Sequence, residues 1–355
     1  MSDVNSGGYE FVSTHGGKHI TQPGLRTSLS ISRAAKALRG ISTQIDIDQP
    51  NLVWAHARMA VLLLRLIAVW RHIRKKPLPE LAITLHGLPF GPGHRPFTGW
   101  ISRATELGLL RMMPPHHLLF LSQAALDTYA RSPGMAGALN RHSTHVLENC
   151  ANLEPIPREK RDGIPIIVMT GRVGYQKNHR LAAQIFGKVR ADFQFLLCGE
   201  GTNSSDFREH FIQNSGLKPD DVDRRVTFLG PVADVRPILH RADIFLSTSR
   251  YEGMPIAALE AFQAGLPIAT TNILGMAEIV AAHPMSVSFS DQDPEMAAKE
   301  IERLVAEMRK DEMSHTSQIQ AAFSKRFSFS KWSENLIPLI RKMSSSTDIH
   351  DANRP

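Results

Sequence analysis

Cysteine is nearly absent from this chain, with only Cys150 and Cys198 among 355 residues. They lie in different halves, near or within apolar strand-like runs, and neither has a metal-ligand partner at close spacing. That excludes a disulfide-stapled scaffold and a thiolate metal site; the pair reads as ordinary buried thiols in a reducing compartment. Long apolar runs are missing too. The longest, Met59 to Trp70, is interrupted by Arg65 and falls short of the roughly 20 residues that cross a bilayer. No secretory signal is read at the N-terminus, and there is no internal repeat or low-complexity tract. What is present is a 42% apolar chain, enough for two domains with separate cores.

The cation excess is confined to one half. Residues 1–152 carry 16 Lys and Arg against 8 Asp and Glu, and the remainder 25 against 26. A basic half can meet nucleic acid, an anionic lipid surface or only water. The lipid surface ranks first because of a helix expected from about Ala57 to Lys76. Arg58, Arg65 and His72 recur there every seven residues on one stripe, and Arg71, Arg74, Lys75 and Lys76 close the segment. Such a helix either lies in a bilayer interface with snorkelling cations or covers a parallel sheet. The core reading ranks ahead, and both can hold on opposite faces. No nucleic-acid recognition motif is present, so no nucleic-acid partner is expected.

Short apolar runs alternate with helical lengths almost throughout. Strands are expected at Glu10 to Ser13, Asn51 to His56, Leu81 to His86, His117 to Ser122 and His145 to Leu147. A second series follows at Pro165 to Thr170, Phe193 to Cys198, Arg225 to Leu229, Asp243 to Ser247, Leu266 to Thr270 and Ser286 to Phe289. This pattern predicts an α/β protein of two doubly wound, Rossmann-like parallel-sheet domains. The expected domains are 1–152 and 153–329, joined through a proline- and charge-rich stretch. A closing helix follows at 330–343 and a disordered polar tail at 344–355. Ligand is expected in the cleft between the domains.

Two constellations carry chemistry. In the first, the strand ending at Ser247 runs into Ser249, Arg250, Tyr251, Glu252, Gly253, Met254, Pro255 and Ile256, and then a helix containing Glu260. Gly253 lets backbone approach a ligand and Pro255 suits a first helical turn. The free N–H groups from Gly253 to Ile256 face an anion, and Glu260 accepts hydrogen bonds from sugar hydroxyls beyond it. In the second, Thr170, Gly171, Arg172, Val173, Gly174, Tyr175, Gln176, Lys177 and Asn178 form a loop between a strand and a helix. Its two cations can converge on a diphosphate, Arg172 as a planar fork and Lys177 as a point charge.

Ser249, Glu252, Gly253, Pro255, Glu260, Ala261, Gly265 and Pro267, together with Gly171, Arg172 and Lys177, resemble the corresponding blocks of retaining group 1, or family 4, glycosyltransferases of the GT-B fold. The resemblance implies a retaining hexosyltransferase moving sugar from a nucleoside diphosphate sugar to a glycan or lipid-linked acceptor in cell-surface polysaccharide synthesis. It implies catalytic roles for Arg172, Lys177 and Glu252, with Glu252 holding the donor sugar and Glu260 the ribose. Donor contacts would come from His86, Gly171, Gly199, Gly253, Met254, Pro255 and Ile256. Cys198-Gly-Glu-Gly201 matches the family's glycine turn, and Gly275 and Glu278 the tail of its glutamate block. His86 ends a strand where the family often carries a histidine that reaches the donor sugar; taken alone, it reads as structural. No cofactor or metal is expected. The triplets Asp46-x-Asp48, Asp221-x-Asp223 and Asp291-x-Asp293 do not flank the site, and His116, His117, His142 and His145 read as surface or packing residues. Expected partners are the donor, the acceptor and an anionic membrane surface, with a cytoplasmic or peripheral location. One departure is plain: Met1 to Val12 resembles the approach to the family's second strand, so the first domain is expected to lack its first strand–helix unit. A shortened reading frame, a rebuilt acceptor site, and a degenerate enzyme that binds nucleotide sugar without turnover all remain open.

Overall fold

A computed structural model describes residues 1–2, 16–25, 31–154 and 163–345. The strand expected at Glu10 to Ser13 lies outside them, as does the tail beyond residue 345. The chain divides into two compact units. The first comprises residues 1–89, 100–146 and 337–355, and the second residues 90–99 and 147–336.

In the first unit, β1 (Leu52–Ala55), β2 (Glu80–Leu85), β3 (His117–Phe120) and β4 (Ser143–Val146) form a parallel sheet in the order β1-β2-β3-β4. Helices Arg58–Ile73, Pro96–Met112 and Gln123–Arg131 fall between successive strands. Sheets of this type are covered on both faces, so their central strands read as unbroken apolar runs. Ile83, Leu118, Leu119 and Phe120 are accordingly fully buried. His116, His117, His142 and His145 pack among themselves, with the His117 Nδ1 3.0 Å from the His145 Nε2.

Helix Arg58–Ile73 corrects one expectation. Arg65 is not a snorkelling cation; it is 2% exposed and makes a fork to Glu106 at 2.5 and 2.7 Å. The Tyr129 hydroxyl donates to the same carboxylate at 2.6 Å. Burial and the neighbouring carboxylate both push the Tyr129 phenol upward. The helix buries Val61, Leu64, Ile67 and Ala68 and turns Leu62, Leu66, Trp70 and Ile73 outward. A seven-residue repeat cannot distinguish an arginine facing water from one facing a buried carboxylate.

The second unit holds β5 (Ile166–Thr170), β6 (Gln194–Cys198), β7 (Val226–Gly230), β8 (Ile244–Ser247), β9 (Ile268–Thr271) and β10 (Ser286–Phe289). All pair in parallel, in the order β10-β9-β8-β5-β6-β7. The chain steps outward from β5 to β7, returns to place β8 against the other side of β5, and steps outward again. The strand order therefore reverses between β5 and β8, the point where doubly wound sheets open a crevice at their carboxyl ends. Phe186, Phe195, Ile244, Leu246 and Ile301 fill the core. Helices Pro294–Met308, Glu312–Arg326 and Phe329–Ser344 complete the chain, the last passing into the first unit from Ile337 onward. Among the described residues, no helix is long and apolar enough to cross a membrane.

Candidate donor site in the second unit

The two loops singled out in sequence leave β5 and β8, on either side of the reversal point. The β5 loop is held by backbone contact. The Gly171 N–H donates to the Cys198 carbonyl at 2.7 Å, and the Val173 N–H to the Glu200 carbonyl at 2.8 Å. Gly171 (φ +154°) and Gly199 (φ +145°) sit in conformations that favour glycine, and a Cβ on Gly199 would lie 2.3 Å from the Gly171 carbonyl oxygen. These glycines therefore allow two loops to touch through bare backbone. Asn178 adopts φ +53° ahead of helix His179–Phe186, a region asparagine tolerates. Burial, then the charge of Lys177, pushes the His179 imidazole down to about 4, so it is neutral at physiological pH.

The β8 loop meets the β5 loop at Glu252. The Lys177 Nζ lies 2.7 Å from the Glu252 Oε1, and the Ser249 hydroxyl donates to the same oxygen at 2.8 Å. The Gln176 amide donates to the Glu252 Oε2 and to the Tyr251 carbonyl, both at 3.0 Å. Beneath them, the Thr248 hydroxyl donates to the Lys177 carbonyl at 3.0 Å and the Thr271 hydroxyl to the Ser249 carbonyl at 2.6 Å. The Glu252 carboxylate is only 9% exposed, so these donors fix it more strongly than a surface pair would. Gly275 packs from behind; a Cβ there would sit 2.3 Å from the Glu252 carbonyl oxygen.

Helix Ile256–Gln263 follows, with Pro255 as its N-cap rather than a residue of the first turn. Its first N–H groups have no intrahelical partner. Met254 is buried and Ile256 exposed, and the Asn149 amide pins the Met254 carbonyl at 2.8 Å. Glu260 is half-buried one turn into the helix. Burial pushes its carboxyl above the usual range, and burial, then the Glu260 charge, raises the Cys198 thiol at the end of β6. Among the described residues its carboxylate has no hydrogen-bond or ion-pair partner. Arg172 is exposed and likewise unpartnered among them. His86 belongs to the first unit, exposed at the end of β2 with its ring 5.6 Å from His56.

The structure thus brings Lys177 and Glu252 into direct contact and sets Gly171 against Gly199, while Glu260 takes no part in that ion pair. Sequence reasoning missed Gln176 as a donor to Glu252; only a side chain one residue from a predicted cation hinted at it. Glu278, read as a supporting residue, pairs with Arg326 at 2.6 Å. Of the Asp-x-Asp triplets, Asp46 binds Arg71, Asp223 binds Arg208 and Asp293 caps helix Pro294–Met308.

Residues 164–307 match the family model for glycosyl transferases group 1. An alpha-1,3-galactosyltransferase of Escherichia coli, named as acting with UDP-Gal on alpha-D-GlcNAc-diphosphoundecaprenol, is 33% identical over 265 residues, 71% of this chain and 66% of that relative. Residues 164–307 belong to the group 1 glycosyltransferases. Among solved structures, a sucrose-phosphate synthase from Thermosynechococcus elongatus superimposes with a TM-score of 0.72 at 16% identity, covering 93% of this chain and 82% of the other. Anabaena HepE, solved with UDP and glucose, superimposes with a TM-score of 0.71 at 15% identity, covering 96% and 90%. These likenesses establish the two-sheet GT-B architecture of the chain. The chain spans between 31% and 66% of the length of the first curated relatives it matches.

Proposed function

We propose that this chain is a group 1 glycosyltransferase that moves a hexosyl group from a nucleoside diphosphate sugar to a hydroxyl of a glycan or lipid-linked acceptor, with retention at the anomeric carbon. The observation that carries the reading is the Lys177–Glu252 contact at the sheet's reversal point, with Glu260, which has no partner among the described residues, and the first N–H groups of helix Ile256–Gln263 following in the same loop and helix. The names of the relatives, a UDP-Gal-dependent transferase acting on a diphosphoundecaprenol-linked sugar and a structure holding UDP and glucose, favour a UDP-linked donor and a lipid-linked acceptor in cell-surface polysaccharide synthesis.

In this reading the diphosphate lies between Arg172, Lys177 and the N–H groups from Gly253 to Ile256, with Gly171 and Gly199 allowing its close approach. The bond from the anomeric carbon to the β-phosphate oxygen breaks with its electron pair on that oxygen, where fixed donors stabilise the growing charge most. The acceptor oxygen attacks from the same face and its proton passes to the departing phosphate. Glu252 orients the sugar, and Glu260 binds the ribose diol. We assign charge neutralisation to these side chains and the helix terminus without a metal, so a chelator leaves the rate unchanged. The exposed Leu62, Leu66, Trp70 and Ile73, followed by Arg74, Lys75 and Lys76, support peripheral docking on an anionic cytoplasmic membrane face. Incubating the chain with UDP-sugars and a polyprenyl-diphosphate-linked sugar, with NMR of the product anomer, tests the reading; an inverted product or no UDP release contradicts it.

A further inference from the structure

Residues Phe90 to Gly99 follow β2 of the first unit, yet they pack as part of the second. Their contacts fall on the two loops that carry Lys177 and Glu252. The His94 ring stacks on Tyr251 with centroids 4.0 Å apart and planes at 23°. The Arg95 guanidinium lies 4.9 Å from the centre of the Tyr175 ring, and that of Arg250 lies 4.5 Å from it. Gly93, at φ +82°, comes so close that a Cβ would stand 2.1 Å from the Arg250 carbonyl oxygen. No side chain fits there without moving backbone.

The residues touched are those that lace the loops together. The Arg250 N–H donates to the Gln176 carbonyl at 2.8 Å and its guanidinium to the Tyr175 carbonyl at 2.7 Å. Gln176 in turn donates to the Tyr251 carbonyl and to Glu252. Tyr175 stands two residues before Lys177, and Tyr251 one before Glu252. A segment that holds both rings and abuts the backbone between them restrains the Lys177–Glu252 pair from outside.

We propose that Gly93, His94 and Arg95 are positioning residues for the donor site: a strap that fixes the β5 and β8 loops through Tyr175, Tyr251 and Arg250 without touching the donor. The proposal rests on the donor-site reading for its effect on turnover, but its structural half does not. Hydrogen exchange of the ligand-free full chain separates the two. Gly93→Ala lowers protection across residues 171–178 and 248–255 by about 10-fold or more, since a displaced strap leaves local opening cheaper. Gly108→Ala is the control: Gly108 lies within helix Pro96–Met112, has no positive φ and has nothing within 4 Å of its added Cβ, so protection stays at the wild-type value. In turnover assays Arg95→Ala lowers kcat about 2- to 5-fold, the span of an exposed cation–π contact, with a smaller change in donor KM, and Arg95→Lys restores most of it. Unchanged protection in Gly93→Ala, or equal losses in the two glycine variants, overturns the strap. Should Gly93→Ala fail to fold, exchange in Arg95→Ala decides in the same way. Wild-type protein that shows the exchange pattern but binds no nucleotide sugar overturns the donor-site reading alone.

Discussion

Replacing Glu260 with glutamine should move stability and donor binding in opposite directions. The carboxylate is half-buried, has no partner among the described residues, and is raised above its ordinary pKa by burial. A folded-state pKa above the unfolded one means the native chain binds more protons in the window between them. Stability is therefore lost as pH rises through that window, and the loss is complete at neutral pH. Glu260→Gln removes the buried charge, so the ligand-free variant melts higher than wild type near pH 7 and at nearly the same temperature near pH 4. Donor binding goes the other way. A carboxylate accepting two hydrogen bonds from a ribose diol loses one charge-assisted acceptor to the amide, worth about 1.5–3 kcal/mol. That corresponds to about a 10- to 150-fold weaker Kd for UDP. Calorimetric titration with UDP and thermal melts at both pH values supply the assay. A variant that is less stable at pH 7, or that binds UDP as tightly as wild type, refutes the reasoning: in the first case Glu260 has a native partner, in the second it does not meet the nucleotide.

Other consequences are as direct. Lys177→Met removes a charge from the proposed phosphate site and should lower kcat by about 10²-fold or more, measured as UDP release at saturating donor. Gly275→Ala must displace the Glu252 backbone that its Cβ would meet at 2.3 Å, lowering turnover at least about 10-fold while the circular dichroism spectrum is kept. Glu106→Gln leaves Arg65 buried without its counter-charge and should cost about 3–5 kcal/mol in urea unfolding, most of it recovered in an Arg65→Met, Glu106→Leu, Tyr129→Phe triple variant that also removes the hydroxyl donating to Glu106. His116, His179 and His283 are buried, and burial holds them down to about 3, 4 and 4 respectively. Their unfolded forms bind protons that the native forms refuse, so the urea midpoint falls as pH drops from about 6.5 toward 4.

Strand positions were legible to within about two residues because parallel strands covered on both faces must be short apolar runs. Val168, Leu196 and Phe245 could be read as strand centres from composition alone. The loops of the candidate site were legible for a different reason: Gly171, Gly199 and Gly253 mark tight or close backbone, and Lys177 and Glu252 are charged residues in the loops that leave two strand ends. Arg65 was not legible. Its partner Glu106 lies 41 residues away, and its spacing from Arg58 and His72 matches a surface stripe equally well. Nor was the strap. The pairing of His94 with Tyr251 and of Arg95 with Tyr175 joins segments remote in sequence, and no local pattern announces which glycine in Gly91-Pro92-Gly93 abuts a carbonyl. Gln176 fell between these cases, adjacent to a residue already singled out but given no role because amides carry no charge.

A nucleoside diphosphate is proposed to occupy the crevice where the strand order reverses. The most direct measurement is a crystal structure of the chain soaked with UDP. The diphosphate is expected within hydrogen-bond reach of Lys177, Arg172 and the first N–H groups of helix Ile256–Gln263, with the ribose hydroxyls on Glu260. UDP bound elsewhere, or ribose hydroxyls turned away from Glu260 with the Lys177–Glu252 contact intact, contradicts it.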